Sequence, residues 1–106
     1  MVRRKEGGAG SKRLHEAFRL VQERYVLFIV DALARGPKGF NELSRESFCA
    51  SGTTLAARLS ELEAEGILEK SVLSTMPPRT EYQLTARGRG LEKVVRALAD
   101  WAEDVA

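Results

Sequence analysis

Residues 51–66 read SGTTLAARLSELEAEG, and the rest of the chain makes most sense arranged around them. Ser51 is a good N-cap, since its hydroxyl can accept from an orphan amide of a first helical turn. Gly66 suits the position just past a helix end, where the left-handed conformation is needed. Between them Leu55, Leu59 and Leu62 fall at i, i+4 and i+7, which makes one narrow face apolar. The opposite face carries Thr53, Ala57, Ser60 and Glu61, flanked by Thr54 and Arg58. Small side chains let a helix backbone come close to a groove, and an arginine can bond a guanine edge or a phosphate. The stretch therefore reads as a helix that enters a DNA major groove, against the plainer alternative of an amphipathic surface helix.

The residues before it supply the partner such a helix needs. Gly36-Pro37-Lys38-Gly39 is a turn, and a short helix is expected over about Asn41 to Glu46. Phe40 and Leu43 face inward in that reading, with Phe48 a further candidate. Short helix, turn and longer amphipathic helix is the helix-turn-helix plan. Further upstream Leu14, Ala17, Phe18 and Val21 keep helical spacing, and the apolar run Tyr25 to Val30 continues through Ala32 and Leu33. That pattern predicts helix from Ser11 to Arg35, either as one piece or as two meeting near Gln22–Arg24. His15 has no partner histidine or cysteine and reads as a surface or packing residue.

After Gly66 the pattern changes. ILEKSVLS and RTEYQL have strand character, and Met76, Pro77 and Pro78 mark a hairpin tip, because proline removes a ladder donor. A hairpin directly after a groove-entering helix is a wing. Arg79 and Thr80 at its tip, with Lys70 and Ser71 on the facing strand, can reach phosphates or a minor groove. Thr85 then caps a last helix, whose Leu91, Val94, Val95, Leu98, Trp101, Ala102 and Val105 form an apolar stripe. A small domain has little left to cover that stripe, so it predicts a partner, here a second copy met by Leu14 and Phe18 of the first helix. The alternative is that Trp101 packs on the first helix of its own chain.

Composition limits the function classes. With 106 residues, 43% hydrophobic and 30% charged, the chain should form one domain with a core that buries roughly two-thirds of its unfolded surface. Residues 1–10 have little to bury and read as a flexible basic arm, leaving 11–106 as the DNA-binding and dimerisation domain. Residues 1–13 carry five basic side chains against Glu6, an excess of four. A net charge of +2 leaves −2 for the remainder, so a DNA surface must be a local patch plus the arm. No apolar run could span a bilayer and no signal peptide is visible, so the cytosol is the expected compartment and no membrane partner is expected. No cofactor or metal is expected. Cys49 is the single cysteine, which excludes an internal disulfide. Paired carboxylates, metal-ligand spacing and phosphate loops are not apparent, and the single His and Cys lie far apart, so an enzyme has no visible support.

Taken together, GPKGFNELSRES, SGTTLAARLSELEAEGILEK, PPRTEYQLTARGRGL and VVRALADWAE resemble the HxlR-type winged-helix transcriptional regulators, relatives of the MarR group. The resemblance covers roughly Tyr25 to Glu103. It implies a mainly α fold with a small β-hairpin, a winged helix-turn-helix flanked by N- and C-terminal dimerisation helices. It further implies a homodimeric regulator of double-stranded DNA, with a repressor the expected mode. Ser51, Thr53, Thr54 and Arg58 fall on recognition-helix positions and Arg79 on the wing. Some members carry a sensing cysteine before the first helix. Lys12 stands there in this chain, and Gln22-Glu23-Arg24-Tyr25 replaces the usual Gly-Gly-Lys-Trp. Two other readings compete: a winged helix that docks a protein instead of DNA, and a thiol-responsive regulator using Cys49 at the recognition-helix N-terminus. The residues name no small-molecule effector.

Overall fold

The computed structural model describes residues 8–105, with side chains described over 12–104. Five helices and one hairpin follow in the order α1 (Gly8–Val21), α2 (Val26–Ala34), α3 (Phe40–Glu46), α4 (Gly52–Ala64), β1 (Leu68–Thr75), β2 (Pro78–Leu84) and α5 (Ala86–Val105). Helix α1 begins at Gly8, so three residues assigned to the arm are helical, and residues 1–7 of that arm lie outside the described residues. Among the described residues no helix is long and apolar enough to cross a membrane.

The stretch from Ser11 to Arg35 is two helices. Tyr25 separates them in the left-handed region, at φ 75°. No glycine or proline marks the break, which is why apolar spacing alone left it open. The chain turns through bonds from the Glu23 N–H to the Leu20 carbonyl and from the Val26 N–H to the Glu23 carbonyl. Helix α2 is apolar nearly all round and therefore central: Val26, Ile29, Val30, Ala32 and Leu33 are buried. Leu43 of α3, Leu55, Leu59 and Leu62 of α4, and Ile67, Leu68 and Leu84 of the hairpin close the core around it.

Each junction has a physical stop. The Glu42 carboxylate accepts from the Gly39 N–H at 3.1 Å and starts α3. Arg35 ties α2 to α3, its guanidinium bonding Glu46 at 2.9 Å and Asp31 at 3.2 Å. The Ser51 hydroxyl accepts from the Thr54 N–H at 3.2 Å, and Gly66 takes φ 74° after α4. Thr85 accepts from the Gly88 N–H at 3.1 Å and also donates to the Gly66 carbonyl, so one hydroxyl joins the end of α4 to the start of α5. The inward candidate Phe48 is corrected. It sits in the α3–α4 turn at φ 62°, is 72% exposed, and meets Phe28 edge to face at 5.2 Å. The turn's geometry points it outward and gives the buried position to Cys49.

The hairpin is an antiparallel pair with Leu68 opposite Leu84 at its base and Thr75 opposite Pro78 at its tip. A third short segment joins it: Lys38 and Tyr82 exchange backbone bonds at 3.0 and 2.8 Å. The wing is thereby anchored to the loop before α3.

One ionic cluster gives the fold a definite acid response. Glu92 on α5 lies between Arg89, at 3.5 Å, and Arg96, at 2.6 Å. The hydrogen bond from Arg96 holds its carboxyl below the usual glutamate range, against an opposing effect of burial. A carboxyl depressed in the folded state stabilises above its unfolded pKa, and that contribution is lost as pH falls through the folded value. Glu92→Gln should therefore lower the melting temperature at pH 7, and the gap to the parent should narrow as pH falls below the usual glutamate range. A parallel fall of both proteins across that range in circular-dichroism melts would reject the assignment.

Candidate nucleic-acid interface

The first half of α4 carries the candidate interface. Leu55, Leu59 and Leu62 hold one side of the helix in the core, so the other side faces outward by helical geometry. Ser51, Thr53 and Ala57 are exposed there and Thr54 is half-buried. The side chains are short, which allows close backbone approach, and the free N–H groups of the first turn add positive potential. The second half of α4 is different. Glu61, Glu63 and Glu65 are exposed along it and would repel phosphates. The N-terminal end of the helix is therefore the less acidic of the two.

Arg58, read from the sequence as a base contact, does not project outward with that set but is engaged within the chain. Its Nε donates to the Arg24 carbonyl at 3.0 Å, one terminal nitrogen pairs with Glu23 at 3.2 Å, and the other with Glu61 at 3.3 Å. The side chain is 19% exposed. Glu23 and the Arg24 carbonyl at the α1–α2 junction, with Glu61 of α4 itself, outcompete solvent for it, because the guanidinium fork fits several acceptors at once.

On the wing, Arg79 is exposed next to the tip and Thr80 is half-buried, while Lys70 is exposed on β1. The register does not bring the two cations together. Arg79 lies opposite Ser74, whereas Lys70 lies opposite Tyr82. Alternation along β2 then puts Arg79 and Lys70 on opposite faces of the ribbon. The tip itself is apolar, with Met76 90%, Val72 63% and Leu73 52% exposed. Arg45 on α3 is also exposed, and the sequence pattern does not single it out among the charges of that short helix.

The other named residues separate cleanly. Leu14 (52%) and Phe18 (56%) on α1 and Val94 (42%), Leu98 (45%) and Trp101 (62%) on α5 are exposed, while Leu91 and Val95 pack partly against the core. Trp101 therefore does not bury itself on its own first helix. Cys49 is fully buried, with its thiol 3.6 Å from the Ser51 carbonyl, and packs as a small core side chain. Among the described residues no three His, Cys, Asp or Glu side chains come together to hold a metal ion.

A short helix, a tight turn, a capped helix with its outer face open, and a two-stranded ribbon beside it define a winged helix-turn-helix protein. The chain belongs to the HxlR-like helix-turn-helix family, whose pattern it matches over residues 20–106. It is 34% identical over 92 residues to the uncharacterized HTH-type transcriptional regulator YvaP of Bacillus subtilis, covering 87% of this chain and 85% of that one. The reduced form of the transcriptional regulator YodB from B. subtilis superposes with a TM-score of 0.75 at 35% identity, covering 86% of this chain and 89% of that one. A transcriptional regulator of the MarR family from Enterococcus faecalis V583 superposes with a TM-score of 0.79 at 28% identity, covering 99% and 94% of the two chains. Its fold and family make the chain a transcriptional regulator of the DNA-binding helix-turn-helix type.

Proposed function

We propose that the protein is a homodimer that binds a near-palindromic double-stranded operator sequence-specifically. The observation that carries this is the capped, small-residue N-terminal half of α4, open to solvent and followed directly by the wing. Thr53 and Thr54 meet base edges in the major groove, and Ser51 and Ala57 allow the backbone close. Arg79 contacts flanking phosphate on one side of the ribbon, and Thr80 and Lys70 reach phosphate from the other. Two α4 helices in successive major grooves require two chains, and the exposed stripes of α1 and α5 supply the surface to join them. Burial of Cys49 favours a structural thiol over a sensing one.

The test is fluorescence anisotropy on a duplex from the region upstream of the protein's own gene, titrated with salt beside a scrambled duplex. Preference for the native duplex should reach about 1,000-fold or more. Arg79→Ala should weaken both complexes and reduce the slope of log K against log salt by about one. Equal and weak binding to both duplexes, with Arg79→Ala silent, would favour a protein-docking winged helix instead.

A further inference from the structure

We infer that Arg58 is a positioning residue, a clamp that sets the angle of the recognition helix α4 against the α1 helix. The contacts themselves carry this. One guanidinium joins the middle of α4 to three groups, of which two, the Arg24 carbonyl and the Glu23 carboxylate, belong to the linker between α1 and α2. The third, Glu61, lies one turn along α4 and holds the fork in place from its own helix. A groove of about 870 Å³ lies against α1, the end of α4 and the start of α5, with Leu20, Glu23, Glu61, Glu65 and Leu91 in its wall. Both carboxylates that hold Arg58 thus also line this open space, together with Glu16 and Glu65, so side-chain packing leaves the relation of α1 to α4 underdetermined there. The clamp fixes it. The linker it grips is short and contains the left-handed Tyr25, so a shift of Glu23 is passed directly to the end of α1.

The functional consequence rests on the dimeric DNA-binding reading. If α1 belongs to the dimer frame and α4 to the DNA, their relative angle sets the distance between two recognition helices, and hence the half-site spacing the dimer accepts. Arg58 would then govern spacing without touching a base.

Two measurements test this, and the first needs no DNA. Nitroxide labels on Glu16→Cys and Ser60→Cys, with Cys49→Ala and excess unlabelled chain, report the α1–α4 distance within one chain by pulsed electron resonance. The distribution should be narrow with Arg58 present and at least about twice as wide in both Arg58→Met and Arg58→Lys, because a lysine lacks the fork that reaches three acceptors. Equal widths in all three overturn the clamp. The second uses operators with the spacer changed by one base pair. The parent should lose about tenfold or more in affinity and Arg58→Met less than about threefold, with the salt slope unchanged. If Arg58→Met instead lowers the salt slope by about one and Arg58→Lys restores it, Arg58 is a phosphate contact and the clamp is wrong. Loss of specific DNA binding by the parent itself would count against the functional reading, while the distance measurement still decides the clamp.

Discussion

Gly88→Ala should destabilise the protein by about 3 kcal/mol or more, a large part of the roughly 5–15 kcal/mol that holds a domain of this size. Gly88 lies in the first turns of α5, where alanine is intrinsically the better helix former by about 1 kcal/mol. The surroundings reverse that preference. A Cβ at this position would stand 2.0 Å from the Ile67 carbonyl oxygen and 3.0 Å from a Leu84 methyl carbon. The carbonyl has little freedom to retreat, since it accepts from the Thr85 N–H at 3.0 Å. Ile67, Leu68 and Leu84 are buried beside it, so relief requires moving α5 off the base of the hairpin and opening the core. Gly90, two residues on and so about half a turn round the helix, has nothing within 4 Å of its Cβ position, so Gly90→Ala should be neutral or stabilising. Thermal melts of the two variants at one protein concentration check the pair. Gly88→Ala should lose about 10–25 °C. A melting temperature close to that of the parent would mean that α5 does not press on Ile67 as described.

The same glycine shows where reading from residues stops. The pattern Gly88-Arg89-Gly90 looks like weak helix sequence, and nothing local distinguishes the glycine that admits a backbone carbonyl from the one that faces water. The elements themselves were legible because their signals are local. Ser51, Gly66 and Thr85 cap as their chemistry requires, and the leucine spacing of α4 marks its buried side. The breaks at Tyr25 and Phe48 were not legible, since both place bulky residues in the left-handed region that sequence assigns to glycine or asparagine. Their conformations are imposed by how α2 and α4 must sit in the core. The Lys38–Tyr82 bridge is likewise a product of tertiary approach between residues 44 positions apart.

The candidate interface divides in the same way. The small exposed residues at the start of α4 follow from periodicity and capping, so Ser51, Thr53 and Ala57 are found where the spacing puts them. Arg58 has the right period for the outward edge, yet its long side chain is free to choose among acceptors, and Glu23 and the Arg24 carbonyl come from a segment more than thirty residues earlier. Periodicity reports where a Cβ points and says nothing about where a guanidinium ends. Arg79 and Lys70 show the complementary limit: both lie on the wing, but the hairpin register, which sequence left open, decides that they face apart.

In the proposed homodimer, Trp101→Glu should separate the two chains and weaken operator binding by about 100-fold or more. Leu14, Phe18, Val94, Leu98 and Trp101 are all between 42% and 62% exposed, on the two helices that flank the DNA-binding unit. Scattered apolar residues on a surface need no explanation, but five large ones along two helical stripes do. In a two-fold contact each substitution acts twice, and a buried aromatic anchor is worth roughly 2–4 kcal/mol, so a charge there should be decisive. Phe18→Glu tests the α1 side of the same surface. Met76→Glu is the control, because Met76 is 90% exposed on the wing tip and belongs to neither helix, so it should leave the mass unchanged. Sedimentation at micromolar protein reads the assembly, and anisotropy on a single half-site separates it from DNA contact. Half-site affinity should be retained in Trp101→Glu while full-operator affinity collapses, because the second recognition helix no longer arrives tethered to the first. A Trp101→Glu protein that remains a dimer would move the interface off α5, and one that loses half-site binding as well would implicate α5 in holding α4 rather than in joining two chains.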